Sequence, residues 1–330
     1  MNLILSPGLP LSSASSSVEF FWSTFLHDPA REFMSRPKKE FRAELVSIGC
    51  ALYSKGAPPT SKQKIALTEL SRVLEWIHAG SLIVDDIQDD SKERRGGPTA
   101  HRLYGVGPAL NLGNWMYFEA LKALHALDVE DCVKLKIIGC AHEAMHQAHL
   151  GQALDLGANM MDLSVEQIQE VVCKSHSLKS GALVALALQV GALIGDKEAD
   201  LQLLLELGTQ LGSSLQRFDD VGNLKFGSTD LKSLEDLTLG RPSWIWLYLA
   251  SHGTKEEMQA FKKSLESLPA TDLLESFVQS TDLRQRAYSE ALRRHRDLEE
   301  KIKKSFGDLE NIQTLNLLNK LTERIVHAYE

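Results

Sequence analysis

From Val18 onward, apolar residues recur at intervals of three and four almost without interruption, the spacing that gathers side chains on one face of an α-helix. The pattern predicts helices over residues 18–34, 38–55, 62–89, 108–128, 131–157, 165–195, 198–224, 235–252, 255–266, 269–305 with one break, and 308–329. Breaks are expected at Gly56-Ala57-Pro58-Pro59, residues 95–98, Gly195-Asp196, Gly227-Ser228, His252-Gly253 and Phe306-Gly307. No run alternates apolar and polar positions between turn residues, so no sheet is expected, and no repeat of fixed period appears. Long apolar helices with short breaks predict an all-α fold, a large antiparallel bundle in a single domain over residues 18–330. Residues 1–17, with Pro7, Pro10 and a run of serines, carry no basic segment ahead of an apolar one and read as a flexible tail.

One helix ends unlike the others. Over residues 74–98, LEWIHAGSLIVDDIQDDSKERRGGP, an apolar face runs into Asp85, Asp86, Asp89 and Asp90 and then into Arg94 and Arg95. Leu67, Leu70, Leu74, Ile77 and Val84 place one side of this helix in a core. Asp85 and Asp89 are four apart and Asp86 and Asp89 three apart, so on a continuing helix they share a side, about one turn or ~5.4 Å apart. Like charges at that spacing repel, at the end that the helix dipole makes negative. A cation relieves both effects. Mg2+ takes one or two carboxylates together with water and substrate phosphate, and the forked donors of Arg94 and Arg95, beside a Gly96-Gly97-Pro98 turn, suit phosphate oxygens. The combination points to a metal-bridged diphosphate. Alone, residues 85–90 also read as a solvated helix end balanced by Lys92, Arg94 and Arg95.

A second acidic end favours the chemical reading. Gln216-Arg217-Phe218-Asp219-Asp220-Val221-Gly222-Asn223 closes the apolar helix from Leu201, and Asp219 and Asn223 are again four apart. Two such ends facing each other across a bundle would hold several Mg2+ ions that neither holds alone. Lys232 and Arg241 follow in a looser stretch. Lys39 and Arg42, three apart, share a helix face that by itself reads as surface. Lys179 interrupts an apolar run, where burial requires an anion unless the side chain reaches water. His142-Glu143-Ala144-Met145-His146 matches the zinc-protease pattern HExxH, but no sheet is expected beside it and no third ligand stands at a standard spacing. Those histidines read as partly exposed helix positions.

Composition narrows the class. Hydrophobic residues make up 43% and charged residues 24% of 330, enough for a sizeable core, and a net charge of −8 leaves no basic footprint for nucleic acid. Cys50, Cys132, Cys140 and Cys173 form no CxxC pair, as expected of a reducing compartment. The most apolar stretch, residues 180–194, falls short of the ~20 residues that span a bilayer, so no transmembrane segment is expected.

Taken in order, these residues resemble the trans-isoprenyl diphosphate synthases, the head-to-tail prenyltransferases. DDIQDDSKERRGGPTAHRLYG, GQALD, KSG and QRFDDVGNL read like the eukaryote-type geranylgeranyl diphosphate synthases. The resemblance runs over residues 39–242 and implies an isoprenoid-synthase bundle around a central apolar cavity, a homodimer or higher homo-oligomer, and a cytoplasmic setting. It implies condensation of isopentenyl diphosphate with dimethylallyl, geranyl or farnesyl diphosphate, with three Mg2+ ions when substrate is bound. Asp85, Asp89 and Asp219 would be the Mg2+ ligands, supported by Asp86 and Asp220. Arg94, Lys179, Lys232 and Arg241 would hold the allylic diphosphate with Gln216 nearby, and Lys39, Arg42, His78 and Arg95 the isopentenyl diphosphate. The chain departs from the family in three places. Asn223 replaces the usual aspartate, as in the eukaryote-type group; Arg36-Pro37-Lys38 replaces a glycine pair; and Arg241 stands where lysine is usual. The rival on the same fold is a terpene cyclase that uses an allylic diphosphate alone, but residues 219–227 lack the glutamate of its second metal motif. A zinc hydrolase and a non-catalytic subunit are the remaining alternatives. Product length should depend on the level one turn above Asp85, where Gly80 and Ser81 are small, and on Ile77 and Trp76 a turn further up. Geranylgeranyl diphosphate is the expected product.

Overall fold

Helix follows the apolar periodicity through nearly all of the computed structural model, which describes residues 17–37, 41–55, 57–226, 234–307 and 312–327. Lys39, Lys232 and most of the expected tail lie outside the described residues. In chain order the helices are α1 (Ser17–Trp22), α2 (Asp28–Ser35), α3 (Phe41–Tyr53), α4 (Ser61–Gln88), α5 (Ala100–Tyr104), α6 (Val106–His125), α7 (Asp131–Gly157), α8 (Val165–Ser175), α9 (Ala182–Gly195), α10 (Leu201–Asn223), α11 (Glu235–Thr238), α12 (Trp244–His252), α13 (Lys255–Leu265), α14 (Asp272–Thr281), α15 (Leu283–Phe306) and α16 (Ile312–His327). π-helical turns at Ser23–His27 and His176–Gly181 carry α1 into α2 and α8 into α9.

The departures from expectation sit at turns. The segment expected to be helical over residues 235–252 is two helices, because Gly240 at φ 67 and then Pro242 end α11. The break expected within residues 269–305 falls at Asp282, which at φ 50 separates α14 from α15. The expectation of no sheet is corrected by a minimal antiparallel hairpin, β1 (Glu93–Arg94) and β2 (Gly97–Pro98), whose strands are too short to show alternation. Its two-residue loop, Arg95 and Gly96, has φ of 53 and 75, the positive values that a type I′ turn requires at both positions.

Packing divides the chain into two compact units, Met1–Ala141 with Gln189–Ala199, and His142–Leu188 with Asp200–Glu330. In the first unit α4 packs on α3 and α6. A capping box between Thr60 and Gln63 starts α4, and Gln63 Nε2 also donates to the Ile194 carbonyl (2.7 Å), fastening that start to the end of α9. Where α4 crosses α6, a Cβ on Gly80 would stand 2.8 Å from the Gly113 carbonyl, so both helices need glycine to approach this closely. In the second unit α10 packs on the π turn and on α15. A Cβ on Gly212 would be 2.7 Å from Gly181 Cα, and Phe218, Trp244, Trp246, Phe261 and Leu274 fill the core.

The π turn bears on the expectation of no membrane span without overturning it. It continues the helix through Lys179, so Val165–Gly195 forms one run of 31 residues, long and apolar enough to cross a membrane by length and composition. Within the protein, 78% of its apolar window is buried, as in a core helix.

Candidate active site

In the first unit the helical turn continues through Asp89, whose N–H donates to the Asp85 carbonyl at 3.0 Å. Asp90 then turns left-handed, and the N–H groups of Ser91 and Asp90 cap the carbonyls of Asp86 (3.0 Å) and Ile87 (3.4 Å) in a Schellman arrangement. The four carboxylates at this end have two fates. Asp86 is completely buried and accepts from Arg94 Nε (2.7 Å) and Nη2, while Asp90 accepts from Arg102 Nη2 (2.7 Å). Asp85 and Asp89 are half-buried, one turn apart, with Arg94 Nη2 3.6 Å from Asp85.

A second charged group lies farther up α4. Glu75 is buried, with Arg42 at 3.7 Å and Arg95 at 3.8 Å, distances of ion pairs rather than hydrogen bonds. His78 stands three residues on, on the same helix face. Burial, and then the positive charges of Arg42, Arg95 and Arg94, hold its pKa well below the ordinary histidine value, so it is neutral near pH 7. Burial also lowers the Arg95 guanidinium, against the pull of Glu75.

In the second unit, Gly151 of α7 has no room for a Cβ, which would stand 2.5 Å from the Lys179 nitrogen. The π turn can therefore lie against α7. One turn further along the same helix, Asp155 Oδ2 accepts from Lys179 Nζ at 2.7 Å. A chain of hydrogen bonds then sets the end of α10: Ser180 Oγ donates to Gln216 (2.6 Å), Gln216 Nε2 to Asp220 Oδ1 (2.8 Å), and the Trp244 N–H to Asp220 Oδ2 (2.5 Å). His176 Nε2 lies 3.2 Å from that same oxygen. Asp219 is half-buried beside it. Arg241 donates its N–H to the Asp236 carbonyl and its Nη1 to the Asp155 carbonyl, each at 2.7 Å. A small pocket is lined by Asp220, Asn223 and Asp236 together with Ser243 and apolar side chains.

A profile of the polyprenyl synthetase family matches residues 23–280 of this chain. The chain belongs to the polyprenyl synthetase family. It is 31% identical over 218 residues to geranylgeranyl pyrophosphate synthase 2 of Zymoseptoria tritici, covering 66% of this chain and 61% of that one. It is 34% identical over 183 residues to the copalyl diphosphate synthase of Talaromyces verruculosus, covering 54% of this chain and 18% of that one. The chain spans about three fifths of the length of the first curated relatives it matches. Its fold matches the crystal structure of geranylgeranyl pyrophosphate synthetase from Pyrococcus horikoshii at a TM-score of 0.75 and 24% identity, over 92% of this chain and 90% of that one.

Both acidic ends of this polyprenyl synthetase chain fit a hard divalent cation by donor type. Among the described residues no three His, Cys, Asp or Glu converge at metal-holding distance. Carboxylates one helical turn apart suit an ion that keeps water and phosphate ligands. Burial, and then the charges of Asp220, Asp155 and Asp219, push the Asp236 carboxyl well above the carboxylate range, and Lys179 offsets this only in part. Asp236 and Glu75 are charged residues that the sequence reading passes over; each looks like an ordinary helix acid.

The residues expected to set product length divide. Ser81 is half-buried with its Oγ donating to the His78 carbonyl at 2.8 Å. Gly80 instead meets α6, its missing Cβ facing the Gly113 carbonyl and Tyr117. Trp76 and Ile77 are buried, and the Trp76 ring packs edge-on against Trp115, 5.7 Å between centroids. Tyr117, raised by burial and by the Asp85 charge, belongs to this level too. His142 and His146 of the HExxH match are exposed.

Proposed function

We propose that this chain is an Mg2+-dependent prenyltransferase that condenses isopentenyl diphosphate with an allylic diphosphate to give geranylgeranyl diphosphate. One observation carries the reading: half-buried Arg42 and Arg95 both approach the carboxylate of buried Glu75, beside neutral His78, on the helix that ends in Asp85 and Asp89. Two fork donors side by side fit a diphosphate. Asp85, Asp89 and Asp219 would hold Mg2+, which when bound neutralises diphosphate oxygens and stabilises the leaving charge. Arg94, oriented by Asp86, and Lys179, oriented by Asp155, add fixed positive charge for the allylic diphosphate as its C–O bond breaks. Arg42 and Arg95 exchange Glu75 for the second diphosphate. His78, kept neutral, donates a hydrogen bond without adding charge. The double bond of isopentenyl diphosphate then joins the allylic carbon, and a proton leaves to the released diphosphate.

The names of the fungal relatives support the geranylgeranyl product. The cyclase name of another keeps the second reading in view. Incubation with Mg2+, labelled isopentenyl diphosphate and farnesyl diphosphate separates the two. Incorporation of label into a twenty-carbon diphosphate is expected; hydrocarbon or alcohol made from the allylic substrate alone, with the label unused, would sink the proposal. We assign the protein to the cytoplasm on its four free cysteines, and to a homodimer on the exposed apolar residues Val106, Leu110 and Phe118 along α6.

A further inference from the structure

Arg36 stands in the segment that departs from the family, and it has a definite task in this fold. Pro37 disfavours helical backbone at the residue before it, so Arg36 leaves α2 extended, at φ −64 and ψ 154, with its side chain 8% exposed. Its Nη1 donates to the carbonyls of Arg94 and Pro98, 2.9 Å each, and its Nε to Glu32 Oε1 at 2.8 Å. Those two carbonyls lie on opposite strands of the hairpin. One guanidinium therefore ties β1 to β2, and Gly97 makes room for it: a Cβ there would stand 3.3 Å from Arg36 Cζ. Between the tied strands sits Arg95, left-handed at φ 53, a conformation that persists only where the surroundings hold it. Arg36 and Arg95 both lie over the Phe33 ring, at 5.4 and 5.2 Å. Placing a third cation beside Arg94 and Arg95 is unfavourable in itself, so the bracing must outweigh the repulsion.

We propose that Arg36 is a positioning residue, which holds the hairpin in the shape that presents Arg94 and Arg95 to the two diphosphates. The inference rests on the diphosphate roles given to those arginines above. Three variants test it. Arg36→Leu removes the fork, Arg36→Lys keeps the charge but offers no fork, and Gly97→Val leaves Arg36 in place and displaces its head group. Amide hydrogen exchange over residues 93–99, affinity for inorganic pyrophosphate and the KM and kcat of the coupling reaction are read for each.

For Arg36→Leu and Gly97→Val, exchange in the hairpin should speed up by about tenfold or more while the rest of α4 keeps its protection. Pyrophosphate affinity should weaken roughly tenfold, KM for isopentenyl diphosphate should rise by a similar factor, and kcat should move less than about threefold. Arg36→Lys should fall between these variants and wild type. Unchanged hairpin exchange in both disruptive variants would overturn the proposal. So would exchange rising equally throughout the first unit, or a loosened hairpin with wild-type pyrophosphate affinity and KM. If Arg36→Leu fails to fold, the other two variants decide. Should the wild-type protein show no coupling at all, the prenyltransferase reading falls, while exchange and pyrophosphate affinity still decide the role of Arg36.

Discussion

At the scale of single residues, the site is a set of carboxylates sorted by what holds them. Asp86, Asp155 and Asp220 are engaged by Arg94, Lys179, and Gln216 with Trp244, and so act through those partners. Asp85, Asp89 and Asp219 are the half-buried ones, and Asp85→Ala, Asp89→Ala and Asp219→Ala should each lower turnover about 10²- to 10³-fold. Thermal melts of the same metal-free variants should stay at or slightly above wild type, because like charges have been removed. Near-normal turnover in any one would exclude that residue as a ligand. His78 makes a separate prediction in pH. Its folded pKa lies below the unfolded value of about 6.5, so the unfolded chain takes up the proton first. The stability His78 contributes is whole above that pH and is lost as pH falls toward the folded pKa. Between pH 7.5 and 5.5, Tm should therefore fall more steeply in wild type than in His78→Asn; parallel curves would mean that another group sets the slope.

At the scale of elements, glycines decide how closely the helices that carry the site approach. Gly80→Ala would press a methyl group on the Gly113 carbonyl and should destabilise the first unit by about 1–3 kcal/mol, measured by denaturant unfolding. Ser81 has more latitude, being half-buried and bonded only to its own helix in the contacts described. Ser81→Phe should shorten the product to fifteen or ten carbons, as read by chromatography of the dephosphorylated alcohols, with stability less affected than in Gly80→Ala. An unchanged product would show that the growing chain does not follow this face of α4.

At the scale of the whole molecule, the prediction is of assembly. Phe118 is 70% exposed and shares one side of α6 with the exposed Val106 and Leu110, an apolar stripe of the kind that a second copy covers. Sedimentation should show a dimer at micromolar concentration, and Phe118→Asp should shift it toward monomer. A wild-type monomer would remove the homodimer from the proposal.

The sequence by itself determined most of the helices and the helical spacing of both acidic ends, because each depends on contacts within a few residues along the chain. The Asp89 N–H to Asp85 carbonyl bond is that local pattern realised. Only the tertiary structure decided which carboxylate meets which cation. Lys179 and Asp155 are 24 residues apart, and Arg36 and Pro98 are 62 apart; their meeting depends on Gly151 admitting a π turn and on Gly97 admitting a guanidinium. The hairpin was hidden for the same reason. Two-residue strands carry no periodic signal, and their pairing is held by a side chain from a distant helix end. Glu75 and Asp236 look like any helix acid until burial removes their water, and burial is a property of packing that local spacing does not contain.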